Sequence, residues 1–149
     1  MIALLLAVAV GAPAQTRFEA KLIALVNVER MSVGVAPLQY DKRLHDAGDL
    51  WIRLCHGTLA HALPAEDCRG RYVPDLDGDG VCAIWERQVA CGWLQSGSEA
   101  GASNANDPEW LVYAWMQSPA HRNGLLDPWW THAGAGRGFG LTYMELGGP

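Results

Sequence analysis

The sequence has no cluster of basic residues. Its 11 Lys and Arg are scattered among 16 Asp and Glu, giving a formal charge of −5. Nothing is there to neutralise a phosphate backbone, which excludes nucleic acid as a partner. The one uncharged apolar stretch, MIALLLAVAVGAPA at residues 1–14, is too short to span a bilayer. There is no C-x-x-C pair, which argues against a zinc site built from Cys55, His56 and the other cysteines. There is no G-x-S-x-G elbow or other nucleophile motif. Internal repeats, long linkers and low-complexity tracts are also missing. What remains is 149 residues, half of them apolar, enough for one domain with a real core.

Residues 1–14 read as a secretory leader cut before Gln15, with the small residues Ala12 and Ala14 at the −3 and −1 positions. No Lys or Arg precedes its apolar core, and no cysteine follows it for lipid attachment. The expectation is a secreted or periplasmic protein with residues 15–149 forming the mature domain. In an oxidising compartment the four cysteines, Cys55, Cys68, Cys82 and Cys91, suit two disulfides. Three pairings exist. Short local loops favour Cys55–Cys68 and Cys82–Cys91.

Helical spacing runs over residues 17–30, with Thr16 as cap and Glu19 three residues on. Gly34 and Pro37 end it, and VAPLQYD follows as an extended link. A second helix covers about 41–55 on a stripe of Leu44, Ala47, Leu50, Trp51 and Leu54, closed by Gly57. Asp107-Pro108-Glu109 opens a third helix and Ser118-Pro119 a short fourth. The tail GLTYMEL alternates like a strand. Residues 63–97 differ in composition, hold three of the cysteines and read as an inserted excursion.

Within that insertion lies DLDGDGVCAIWE. A twelve-residue calcium loop needs oxygens at positions 1, 3, 5, 7 and 12 and a sharp turn at 6. Asp75, Asp77, Asp79, the Val81 carbonyl and Glu86 fill the first set, and Gly80 the turn. Four carboxylates in twelve residues repel unless a cation sits among them. Gly70 and Pro74 leave no long entering helix, and no second loop exists to pair with this one. The expected role is a structural calcium staple.

Three segments carry a resemblance. They are LIALVNVERMSVGVAPLQYDKRLHDAG, GSEAGAS and WMQSPAHRNGLLDPWWTHAGAG. Together they resemble the CAP superfamily, or SCP domain, of cysteine-rich secretory proteins, plant pathogenesis-related proteins, insect venom antigens and bacterial exported proteins. The first segment places Asn27, Arg30, Pro37, Leu38, Asp41, Leu44 and Ala47 on the bacterial N-x-x-R and "PL" pattern. The resemblance implies an α+β fold, a three-layer α/β/α sandwich around a small antiparallel sheet, here with the insertion stapled by disulfides and calcium. It also implies a cleft of two histidines and two glutamates. His61 and His121 match the histidines and Glu99 one glutamate. Ser118 stands where the second glutamate falls, and Glu109 reads as a helix-start carboxylate. Ala100 replaces the asparagine of the family's G-E-N turn.

Two imidazoles facing one cleft suit a divalent transition metal such as zinc, with Glu99 orienting a ring or ligating. His45, His56 and His132 read as surface or satisfied core residues. The Ser118–His121 spacing invites a nucleophile–base reading, but Ser-Pro at a helix start is more simply a cap. Seven tryptophans are many for this length, and the Trp129-Trp130 pair offers an aromatic contact surface. The function expected is an extracellular binding module with a His/Glu cleft for a lipid, glycan or protein ligand. The alternative is a metal-dependent extracellular hydrolase of peptide or cell-wall substrates.

Overall fold

The structure, a computed structural model, describes residues 15–68, 75–103 and 106–149. Residues 1–14, read as a leader, and the Gly70 and Pro74 positions lie outside the described residues. Helix α1 (Arg17–Ser32) starts where the Thr16 hydroxyl accepts the Glu19 N–H at 3.2 Å. Strand β1 (Gln39–Tyr40) leads to α2 (Lys42–Cys55), capped by the Asp41 carboxylate on the Arg43 N–H. The stretch read as an insertion holds β2 (Leu63–Pro64), α3 (Ala65–Cys68), β3 (Val81–Cys82) and α4 (Ile84–Ala90). Then come β4 (Gly97–Ser103), α5 (Pro108–Gln117), α6 (Pro119–Leu125), β5 (His132–Gly138) and β6 (Leu141–Gly147).

The main sheet has the order β1-β5-β6-β4. Strands β5, β6 and β4 are antiparallel, but β1 joins β5 in parallel, so the sheet is not wholly antiparallel as expected. The N-x-x-R motif explains that edge. Asn27 hydrogen-bonds both backbone groups of Leu38, accepting its N–H at 2.7 Å and donating to its carbonyl at 2.9 Å. Arg30 is fully buried and donates to the carbonyls of Ala36, Leu125, Asp127 and Trp130. The two side chains lay the link after α1 alongside β5 and tie it to the end of α6.

The faces of β6 alternate, as strand geometry requires. Met144 and Leu146 join Leu22, Val26, Leu111, Trp115 and Leu125 under α1, α5 and α6. Leu141 and Tyr143 join Trp51, Ile52 and Leu54 under α2. This gives the helix–sheet–helix layering. On the α2 side β5 presents glycines. A Cβ at Gly136 would overlap the backbone of Gly48 and Asp49, and one at Gly134 the backbone at Leu44 and His45. The strand and helix therefore touch backbone to backbone.

The disulfide pairing corrects the local-loop expectation. Cys68 and Cys82 are bonded, with Cα atoms 6.6 Å apart, while Cys55 and Cys91 are free thiols. The β2–β3 hairpin sets Leu63 opposite Cys82, and α3 turns back at once to carry Cys68 onto it. Cys55 instead ends α2 in the core, its Sγ 3.9 Å from the Tyr143 hydroxyl. Cys91 caps α4, and burial pushes its thiol up to about 11.

Glu19 departs from the capping-box reading. Its carboxylate turns inward, where Oε1 accepts the Ala135 N–H at 2.7 Å. His45 donates from Nδ1 to the Ala135 carbonyl at 2.9 Å and sits 3.2 Å from the same Glu19 oxygen. Strand β1 has ended by then, its last bond being Asp41 N–H to the Ala133 carbonyl. The two side chains thus replace a missing strand at the sheet edge. The hydrogen bond with Glu19, against the cost of burial, raises His45 to about 9. A raised folded-state pKa stabilises fully below the unfolded value near 6.5, and the gain disappears as pH climbs through 9. His45→Gln is therefore expected to lose about 1–2 kcal/mol at pH 6 and almost nothing at pH 10. Denaturant melts at the two pH values check this, and a pH-independent loss would contradict it.

Candidate functional site

Three elements deliver the cleft side chains. His61 follows α2 in the loop that enters β2, Glu99 stands on β4, and His121 lies one turn into α6, whose start is fixed by Pro119. All three line one cavity of about 280 Å³, together with Ser98, Leu125 and Leu146. The His61 ring is exposed and its Nδ1 lies 2.5 Å from Glu99 Oε1. A carboxylate only accepts, so Nδ1 carries the proton. His121 Nδ1 lies 2.9 Å from the Ser118 hydroxyl, and its ring stacks on Trp115. The Ser118 side chain makes no capping bond to α6, contrary to the expected cap. Each imidazole therefore spends Nδ1 on a protein partner and keeps Nε2.

Behind Glu99 lies a buried polar network that sequence reasoning missed. Arg87 of α4 bonds Glu99 Oε2 through Nη2 and Glu145 Oε1 through Nε at 3.0 Å. Its guanidinium lies 4.2 Å over the Trp51 ring, and Nη1 approaches the His61 carbonyl at 3.5 Å. Gln88 donates to Glu145 Oε2 at 2.7 Å and to the Ser98 carbonyl at 3.2 Å. Arg87, Gln88 and Glu145 are fully buried. Burial pushes the Glu145 carboxyl up, against the pull of Arg87 and Gln88. The signal in the sequence was a charged residue on the Tyr143 side of an otherwise apolar β6.

The other candidates fall elsewhere. Glu109 sits at the α5 start, exposed and paired with Lys21 at 2.8 Å. His132 meets Thr131 and Trp93, and His56 packs beside Phe139. Trp129 is exposed and Trp130 half-buried against the core, and neither lines the cleft.

The acidic loop folds on its own backbone. Asp75, Asp77 and Asp79 accept the N–H groups of Gly80, Asp79 and Val81. Glu86 takes those of Leu76 at 2.5 Å and Ala83 at 2.8 Å. Gly78 and Gly80 have φ of 75° and 82°, the left-handed turn expected at Gly80. Ligand atoms of Asp75, Asp77 and Glu86 lie within 4.8 Å of one another, the one such set of three among the described residues. Asp79 is not part of it. Asp75 Oδ1 is buried with no donor. The cleft offers a metal two imidazole Nε2 atoms. Glu99 meets His61 through Oε1 and Arg87 through Oε2, the contacts of a group that orients the ring.

Comparison with known proteins gives the family. The pattern of CAP, the cysteine-rich secretory protein family, matches residues 23–140. The chain belongs to the CAP family. The protein YkwD of Bacillus subtilis (strain 168) is 27% identical over 131 residues, 87% of this chain and 44% of that protein. The chain thus spans less than half of that relative. An extracellular protein containing an SCP domain from Bacillus anthracis str. Ames superposes with TM-score 0.70 at 18% identity, over 88% of this chain and 40% of that one. An outer surface protein of Borrelia burgdorferi gives 0.66 at 18%, over 85% and 89%. At such identities the likeness speaks for the fold.

Burial first, and then repulsion from His61, lowers the His121 pKa below its ordinary 6.5, which favours the neutral ring. Imidazole carbon–proton spectra followed over pH should place its midpoint below 6.5. In His61→Ala the midpoint should move upward. A His121 midpoint above 6.5 in the wild type would contradict this placement of the ring.

Proposed function

We propose that this CAP domain is an extracellular binding module. In this reading the His61–Glu99–His121 cleft holds a divalent transition ion, zinc by donor type, beside an apolar or glycan ligand. The carrying observation is that both histidines spend Nδ1 on the protein, Glu99 for one and Ser118 for the other, and keep Nε2. Neutral Nε2 with the second ring nitrogen oriented by a carboxylate or hydroxyl is the donor type zinc takes. A bound ion would polarise a ligand oxygen. The protein's own part is to orient the rings, keep His121 neutral and shape the cavity. The Cys68–Cys82 bond and the locations named for the similar solved proteins support an oxidising, extracellular setting.

One observation favours the hydrolase reading: Ser118 Oγ touches His121 Nδ1 and is not used as a helix cap. Calorimetric titration with zinc chloride separates the possibilities. The wild type should bind at pH 7.5, more weakly as pH falls through 6, because protonated imidazole does not ligate. His61→Ala/His121→Ala should lose at least about tenfold in affinity with little change in melting temperature. Equal binding by both proteins removes the metal reading. Turnover of a peptide, ester or peptidoglycan panel that Ser118→Ala abolishes would replace the binding module with the hydrolase.

We also infer that the acidic loop holds calcium as a structural staple, with Asp75, Asp77 and Glu86 already drawn together and Asp79 and the Val81 carbonyl as the further expected ligands. The Asp75 oxygen without a donor beside two further carboxylates supports this. Calcium at about 100–1,000 times Kd should stabilise the fold by about 2–4 kcal/mol. Glu86→Gln keeps an acceptor for the backbone but should bind calcium much more weakly. A melting temperature that neither calcium nor chelator moves would refute the staple.

A further inference from the structure

The inserted region reaches the cleft through helix α4. This helix follows the acidic loop and places Glu86, Arg87 and Gln88 in succession, all fully buried. Glu86 closes the loop by taking the Leu76 and Ala83 N–H groups. Gln88 holds Glu145 and the Ser98 carbonyl. Arg87 lies between two carboxylates that stand opposite each other across the β4–β6 ladder, Glu99 and Glu145. Side by side and buried, two such groups repel, and one would take a proton without a cation between them.

Arg87 does more than neutralise. It occupies Glu99 Oε2, so the remaining oxygen, Oε1, is the one that meets His61 Nδ1. Its own place is set by the Trp51 face beneath it and by Glu145 on the far side. From this geometry we propose that Arg87 is the positioning residue of the cleft. By occupying Glu99 Oε2 and so turning Oε1 to the ring, it holds the His61 proton on Nδ1 and leaves the Nε2 lone pair toward the cavity. The insertion is then a working part of the cleft, joined to it at Arg87. This inference rests on the reading of His61 as a cleft ligand, but its direct test needs no metal.

The test reads the His61 tautomer by long-range proton–nitrogen correlation of the imidazoles at pH 8, on the full chain without added metal. The wild type should show His61 protonated at Nδ1. Arg87→Met/Glu145→Gln removes the cation and its second carboxylate together, so Glu145 is not left unpaired, while Glu99 loses the partner that turns Oε1 to His61. In that variant the Nε2–H form of His61 should become the main one, while the His121 signals stay in place. Zinc affinity should fall at least about tenfold. A folded variant with the wild-type His61 tautomer would overturn the proposal. So would a wild-type protein with His61 protonated at Nε2, which keeps the test decisive even if the variant fails to fold. Failure of the wild type to bind zinc, with the tautomer shift observed, would remove the metal reading and leave Arg87 its positioning role.

Discussion

The arrangement depends on the contact between α2 and β5, where neither Gly48 nor Gly136 has a Cβ to hold the backbones apart. Interior packing leaves no slack for a methyl there, since the atoms it would meet are backbone and do not move alone. With α2 this close, His45 can reach the Ala135 carbonyl and Trp51 can lie beneath Arg87. The end of α2 then delivers the loop carrying His61 to the rim of the cleft. A helix one side chain farther out would lose all three.

A second constraint is the satisfaction of buried charge. Among the described residues Arg30 forms no ion pair; it binds four backbone carbonyls and so welds the link after α1 to the exit of α6. Arg87 takes the opposite form, one guanidinium for two carboxylates. Burying charge in this way is costly unless every partner is met, and the partners here come from α4, β4 and β6. The network therefore ties α4 to β4 and β6.

The cleft itself is asymmetric. His61 is exposed and backed by a carboxylate that a guanidinium holds; His121 is half-buried, stacked on Trp115 and backed by a hydroxyl. The hydroxyl stands where the family resemblance expected a second glutamate. A carboxylate beside His121 would favour its charged form, whereas burial beside Ser118 keeps it neutral.

Much was legible in the chain. The Thr16 cap, the Asp107-Pro108-Glu109 start and helical periodicity gave α1, α2 and α5, because these signals are local. The GLTYMEL alternation gave β6, two of the family segments gave Glu99 and His121, and the place just past the second helix gave His61. Strands β4 and β5 were not read as strands, because GSEAGAS and HAGAGRG are poor in the residues that favour a pleated surface. Their glycines make sense only against α2, Tyr143 and the Gly48 backbone. The disulfide was misassigned because sequence separation ranks loops but does not see a hairpin fold Cys68 onto Cys82. Glu19, His45, Arg87 and Glu145 stayed hidden for the same reason. A lone charged residue in a helix or strand reads as solvated until its partner, 12 to 116 positions away, is brought to it. The local code chose the elements; the tertiary structure decided which charges are buried, what they hold, and therefore how the cleft is set.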